Sequence, residues 1–246
     1  MRAGAATPSV AAMDTKIAMV TGASRGLGRA LAAGLAREGY DLITDARDGD
    51  ALRAAAQQIR AAGGSVTAVP GDITDPGHRL DLRRAAEQAG GLDLLVNNAG
   101  TLGASPLPAL ADYPLDRLRA AFEVNVIAPV ALTQLLLPML RSRGGAVLNI
   151  TSDAAVEAYA GWGGYGAAKA ALEQVSNVLA AEEVAIRVWW ADPGDLRTDM
   201  HQQAFPGEDI SDRPLPESVV PAFAALVTRR LPSGRYRAAH LLPAGR

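Results

Sequence analysis

Tyr165 and Lys169 stand four residues apart in the alanine-rich run Tyr165-Gly-Ala-Ala-Lys169. In a helix that separation places both on one face about one turn apart, so a phenol and an ammonium can address one point in space. A cation held beside a phenol favours the phenolate and draws its pKa down from about 10. Such a pair could give a proton to a carbonyl oxygen or take one from an alcohol. On its own the pattern is common by chance, and a Tyr with a Lys one turn on is more often an ordinary helix surface. Its meaning depends on what the rest of the chain brings to it.

A second chemical stretch is Thr21-Gly-Ala-Ser-Arg-Gly-Leu-Gly28. The apolar run Lys16 to Val20 before it reads as a buried strand, and Leu27, Ala30, Leu31 and Leu35 after it have helical spacing. Strand, glycine turn and helix together aim free backbone NH groups and the positive helix end at a phosphate. The spacing Gly22, Gly26, Gly28 is G-x-x-x-G-x-G, not the usual dinucleotide fingerprint. Asp41 to Asp45 reads as the next strand, after a helix ended by Gly39. An acid at that strand's end holds the ribose of NAD, whereas an Arg accommodates the extra phosphate of NADP. Asp45 would point to NAD, but alternation puts Ala46 at the cofactor edge. With Arg47 following and Arg25 in the turn, the edge favours NADP(H), the alternative being two solvated surface arginines.

The elements that must position these residues alternate. A helix from Ala51 to Ala62, a strand from Ser65 to Val69, a helix from Arg79 to Ala89 and a strand from Leu92 to Val96 follow in turn. Asp72 and Asn97-Asn-Ala-Gly100 then fall at strand carboxyl ends, where ligands collect in open α/β sheets. Leu115 to Leu140 is a long helical pattern interrupted by Pro129. Lacking an NH, that proline should leave the Asn125 carbonyl free to bind water, or mark a plain kink. The strand Ala146 to Ile150 delivers Thr151 and Ser152 to its end, thirteen positions before Tyr165. A strand from Ile186 to Trp190 leads to Pro193-Gly194 and Thr198, and Trp189 and Trp190 read as core. Residues 197–216 are polar with no clear period, as expected of a mobile loop over a site. The alternation predicts a parallel sheet with helices on both faces.

Composition limits the alternatives. The chain of 246 residues is 49% hydrophobic, 20% charged, carries a formal net charge of -2 and has no cysteine. One α/β domain is the economical reading. The charge and the lack of a long basic run argue against nucleic acid or a membrane surface as the main partner. Without cysteine there is no disulfide framework, thiolate chemistry or zinc-thiolate site, which suits a cytoplasmic setting. His78, His201 and His240 lack metal-ligand spacing, so solvated or structural roles and no metal are expected. Residues 1–14 read as a disordered tail, with Met13 an alternative start. No apolar run of membrane-spanning length and no internal repeat is found.

Taken in order, these motifs resemble the short-chain dehydrogenase/reductase family from about Lys16 onward. The resemblance implies a single doubly wound, Rossmann-like α/β domain over 15–246, with a mostly parallel sheet of about seven strands and a substrate loop around 197–216. It also implies residue roles. Tyr165 would be the proton donor in reduction, Ser152 would hold the substrate oxygen, and Lys169 would lower the Tyr165 pKa and bind the nicotinamide ribose. Asn125 would hold, through its carbonyl, a water linking Lys169 to solvent. Gly22, Ser24, Arg25, Gly26, Leu27 and Gly28 would take the phosphates, and Arg47 the extra phosphate of NADP. Asp72 and Ile73 would face the adenine, with Asn97, Asn98, Ala99 and Gly100 lining the cofactor. Pro193, Gly194 and Thr198 would hold the nicotinamide end.

The implied activity is NADPH-dependent reduction of a ketone or aldehyde. A non-catalytic NADP(H)-binding sensor or scaffold and an epimerase are the alternatives. The end, Ser233-Gly-Arg-Tyr-Arg-Ala-Ala-His-Leu-Leu242, lacks the family's D-G-G ending, where the final strand often helps build a tetramer. A homodimer through the helices of Asn125 and Tyr165 is then expected alongside a homotetramer. Asp153, Glu157, Asp192 and Asp195 read first as solvated loop charges, and otherwise as groups recognising a hydroxylated or amine-bearing substrate.

Overall fold

Along strand β1 (Lys16–Val20), Ile17 and Met19 belong to one apolar cluster and Ala18 and Val20 to another. A strand buried on both faces needs a layer of helices on each side. In the computed structural model, which describes residues 15–61 and 63–241, that requirement is met by one seven-stranded sheet. Its order is β3-β2-β1-β4-β5-β6-β7, with every pairing parallel. The other strands are β2 (Tyr40–Ala46), β3 (Val66–Pro70), β4 (Leu94–Asn97), β5 (Ala146–Ile150), β6 (Arg187–Asp192) and β7 (Gly234–Arg237). The expected tail at 1–14, Ala62 and Leu242 lie outside the described residues.

Helices α1 (Gly26–Arg37), α2 (Gly49–Ala61) and α8 (Val220–Thr228) cover one face through Leu31, Leu35, Ile59, Phe223 and Leu226. On the other face lie α3 (Pro76–Gln88), α5 (Ala128–Arg143) and α6 (Gly163–Glu182), with Leu82, Leu132, Leu136 and Leu140 in the core and Leu179 packed on it. The order reverses between β1 and β4, so the crevice at their carboxyl ends is the natural ligand position. The glycine turn after β1 and the Asn97–Gly100 stretch after β4 both open there. Trp189 and Trp190 are buried, as expected of core residues.

The differences from expectation have local causes. Helix α3 starts at Pro76, before Arg79, because Asp75 caps it by accepting from Gly77 N at 2.8 Å and proline suits the first helical position. The interruption expected at Pro129 takes the form of a π-turn over Glu123–Ile127, between α4 (Leu115–Phe122) and α5. The continuous run Leu115–Arg143 is long and apolar enough to cross a membrane by length and composition, contrary to expectation. Its Ala128, Leu132, Leu136 and Leu140 are fully buried in the sheet's helical layer, which is the pattern of a core helix. Within 197–216 sits a short helix, α7 (Asp199–Ala204), capped by Thr198 Oγ1 accepting from His201 N at 3.2 Å. Among the described residues, the last elements are the short β7 and helix α9 (Ala238–Leu241).

A polar ladder crosses the apolar layer beneath the crevice. Asn97 Nδ2 donates to Asn149 Oδ1 at 2.8 Å, and Asn149 Nδ2 donates to Ser176 Oγ at 2.7 Å, which ties β4, β5 and α6 together. Groups this deeply buried cost free energy when unpaired. Replacing Asn149 by Leu should therefore destabilise the fold by about 2–4 kcal/mol in urea denaturation. An unchanged midpoint would show that the ladder carries no stability.

Candidate active site

Helix α6 brings its first turns against the carboxyl end of β5. A Cβ on Gly166 would come within 2.6 Å of the Ala154 carbonyl, so the glycine after Tyr165 is what allows this approach. Tyr165 and Lys169 are both buried here, with the Lys169 Nζ 5.6 Å from the Tyr165 ring centroid. The ammonium donates to the Ile150 carbonyl at 2.8 Å. Ser152 Oγ donates to Asp153 Oδ1 at 2.9 Å and accepts from Ala154 N at 3.2 Å. A hydrogen bond from the Ser152 hydroxyl to the Tyr165 oxygen, made in place of the one to Asp153, would favour the phenolate. The end of β5 and the first turns of α6 thus bring Ser152, Tyr165 and Lys169 into one region.

The electrostatics differ from the sequence expectation. Burial, then the charges of Asp192 and Asp153, push the Tyr165 phenol above its ordinary pKa, and the Ser152 bond offsets this only in part. Burial likewise pulls the Lys169 ammonium down to about 8. The expected lowering of Tyr165 by Lys169 is thus reversed in the chain alone, because desolvation disfavours both charged forms. Asp153 and Asp192 are not simple solvated loop charges. Asp153 also accepts from Ala154 N at 2.8 Å and from the Tyr159 hydroxyl at 3.1 Å. Asp192 is buried, accepts from Gly194 N at 2.9 Å and has its carboxyl pushed up by burial. Glu157 pairs with Arg237 at 3.0 Å, while Asp195 is exposed.

The turn after β1 is closed to side chains. A Cβ on Gly28 would meet the Gly22 carbonyl at 2.3 Å and Asn98 Nδ2 at 2.4 Å. Asn98 Nδ2 donates to the Thr21 carbonyl at 2.8 Å, joining the β4 end to the turn. Helix α1 starts at Gly26, and Arg25 before it makes no side-chain cap, which leaves the first NH groups for an outside acceptor. Asp45 does not face the crevice. One oxygen accepts from Gly22 N at 2.8 Å and the other meets His78 Nε2 at 3.1 Å, both residues being buried. The carboxylate that could hold a ribose is engaged inside, as the alternation along β2 implied. The cradle and the uncapped helix end fit the phosphates of a dinucleotide. His78 has a structural role, and lies too far along the chain from Asp45 for sequence spacing to pair them.

The remaining residues fall unevenly. Asn97 points inward to Asn149 and Thr133, away from the crevice, so its expected place beside the cofactor is corrected and Asn98 and Ala99 hold the turn in its stead. Ala99 N donates to Thr21 Oγ1 at 3.0 Å. Asp72 is held in a turn by Thr74, which lowers its carboxyl pKa with help from nearby Arg47, while Ile73 is buried in the core. Arg25 pairs with Asp199 at the start of α7 at 2.8 Å, both exposed. Thr198 lies against the turn, since a Cβ on Gly26 would meet its Cγ2 at 3.6 Å. Buried Asn125 donates from Nδ2 to the Thr101 and Ala121 carbonyls at 2.8 and 2.9 Å, and its Oδ1 lies beside Gly100. His201 is half-buried with its Nε2 unpaired, His240 is exposed, and no metal-binding group is found among the described residues. Sequence reasoning missed the wall beside Tyr165. There Trp162 meets the Tyr165 ring edge-on at 5.7 Å and Phe205 at 5.9 Å, with Leu102, Ala154, Met200 and Ala204 around them.

Known proteins share this arrangement. A family profile described as short chain dehydrogenase matches residues 16–209. A 1-deoxy-11-beta-hydroxypentalenate dehydrogenase from Streptomyces exfoliatus is 38% identical over 195 residues, 77% of this chain and 70% of that protein. A rhamnolipids biosynthesis 3-oxoacyl-[acyl-carrier-protein] reductase from Pseudomonas aeruginosa is 38% identical over 180 residues, 69% of this chain and 67% of that protein. A short chain dehydrogenase from Escherichia coli CFT073, solved in complex with NADPH, superposes with a TM-score of 0.83 at 31% identity, covering 91% of this chain and 96% of that one. The fold, the ordered motifs and these likenesses agree: the chain belongs to the short chain dehydrogenase family of oxidoreductases.

Proposed function

We propose that this protein is an NADPH-dependent reductase that converts a ketone or aldehyde to an alcohol. The observation that carries the reading is the meeting of Ser152, Tyr165 and Lys169 at the end of β5. A phenol that keeps its proton is suited to giving it to an oxygen on which charge develops. Ser152 orients that oxygen by a hydrogen bond, which requires its hydroxyl to turn from Asp153. Lys169, already at a backbone carbonyl, holds its ammonium where it can favour the departing phenolate. Bound NADPH would supply the hydride.

The turn from Gly22 to Gly28 would take the phosphates through Ser24, Arg25, Gly26 and Leu27 backbone groups, and Arg47 would meet the additional phosphate. Engagement of Asp45 by Gly22 and His78 supports NADP(H) over NAD(H). Asp72, Ala99, Gly100, Pro193, Gly194 and Thr198 would line the rest. Asn125, beside the π-turn and four residues before Pro129, would hold a water through its carbonyl. Exposed Ile127 and Val178, on the helical segments that carry Asn125 and Tyr165, support a homodimer through that face.

Replacing Tyr165 by Phe should lower turnover about a thousandfold or more, measured as NADPH oxidation with ethyl acetoacetate, cyclohexanone and benzaldehyde, with NADPH binding unchanged. Retained turnover in that variant would refute the mechanism. Replacing Arg47 by Ala should weaken NADPH about tenfold by fluorescence titration and leave NADH nearly unchanged. An equal loss of both would remove the cofactor assignment. The buried ammonium of Lys169 binds its proton less tightly folded than unfolded, so it costs stability below about pH 8 and the cost fades between 8 and the ordinary 10.5. Lys169→Met should therefore be roughly 1–3 kcal/mol more stable than the parent near neutral pH, with the gap closing in alkali. Equal destabilisation at both pH values would contradict this.

A further inference from the structure

Three consecutive residues at the carboxyl end of β5 are each held by a side chain from outside the strand. The Ile150 carbonyl accepts from Lys169 Nζ at 2.8 Å, Thr151 Oγ1 donates to Glu173 Oε1 at 2.8 Å, and the Ser152 carbonyl accepts from Arg235 Nη2 at 3.2 Å. Arg235 Nε in turn donates to both oxygens of Glu173, at 2.9 and 3.1 Å. Tyr165, Lys169 and Glu173 recur every four residues, so one stripe of α6 presents all three to β5. Arg235 comes from β7, where it is registered beside Trp190 of β6, and alternation sets it with Arg237 on the face that carries α6. Its guanidinium crosses β6 to reach the end of β5.

The Glu173 side chain is only 12% exposed and that of Arg235 24%, so each charge needs the other once water is removed. Pairing leaves a guanidinium NH to fix the Ser152 carbonyl. Ser152 is extended, with φ -157° and ψ 161°, and fixing its carbonyl fixes the direction in which its hydroxyl leaves the chain. Rotation there would swing the hydroxyl away from the Tyr165 phenol, and small misplacements of reacting groups are costly.

We propose that Glu173 and Arg235 are positioning residues that hold Ser152 in register with Tyr165, making the last strand a brace for the site. The kinetic consequence rests on the reductase reading above; the geometric one does not. Arg235→Met removes the guanidinium and keeps the length of the stem. With NADPH and ethyl acetoacetate, cyclohexanone and benzaldehyde, its kcat should fall about 10- to 100-fold while KM for NADPH stays within about threefold of the parent. Hydrogen exchange should quicken at residues 150–155 and stay unchanged at 21–28. Adding Glu173→Gln to Arg235→Met should cost little more, because the two act as one unit.

An unchanged kcat with unchanged exchange at 150–155 would overturn the proposal, and so would a rise in KM for NADPH in proportion to the loss of kcat. If Arg235→Met fails to fold, Arg235→Lys carries the test, since one ammonium cannot span both Glu173 and the Ser152 carbonyl. Its kcat should then fall about tenfold, and a parental value would overturn the proposal. If the parent turns over none of the three carbonyl compounds, the reductase reading falls by itself. Exchange at 150–155 then decides the brace, quickened exchange supporting it and unchanged exchange overturning it.

Discussion

The seating of α6 on the carboxyl end of β5 is the contact on which the site depends. It buries a phenol and an ammonium within one helical turn of each other and supplies the ammonium with the Ile150 carbonyl. Burial is expensive for both groups, and it sets their chemistry: the phenol keeps its proton and the lysine gives up its own more readily. Stability sacrificed at Lys169 is offset elsewhere, by the Asn97–Asn149–Ser176 ladder beneath and by the apolar clusters on both sheet faces. The same helix contributes Glu173 and Ser176, so one face of α6 carries the phenol, the cation, an ion-pair partner and a structural hydroxyl.

A second constraint governs the cofactor side. The turn after β1 has no room for a side chain at Gly28, and its first NH, at Gly22, is held by the buried Asp45. That carboxylate cannot serve the turn and a ribose at once, because its other oxygen meets His78. Arg25 is shared with Asp199, so the phosphate turn and the start of α7 are in contact through an exposed ion pair of small energetic weight.

Much of this was legible in the sequence because it is local. The glycine turn, the alternation of strands and helices, and the spacing of Tyr165 and Lys169 are read from neighbours in the chain, and the doubly wound seven-stranded sheet follows from them. Asp45, which alternation along β2 turned from the cofactor edge, is bonded to Gly22 N and His78 instead. What escaped was non-local. His78 lies 33 positions from Asp45 and Arg235 lies 83 from Ser152, and no local pattern brings either pair together. Asn97 was misplaced because a strand's last residue can face either side, and only the Asn149 amide opposite it settles which. The raised phenol was missed for a related reason: spacing reports the nearby cation, while burial and the acids at 153 and 192 come from the assembled fold.

On this reading Tyr165 stays a protonated phenol until a partner for its charge arrives. Ultraviolet titration of that phenol, taken as the difference between the parent chain and Tyr165→Phe, tests it most directly when run with and without NADP+. The account predicts a Tyr165 pKa above the ordinary tyrosine value in the chain alone, falling when the oxidised cofactor places its positive charge in the crevice. A pKa already below the ordinary value without cofactor, and unmoved by it, would contradict the account.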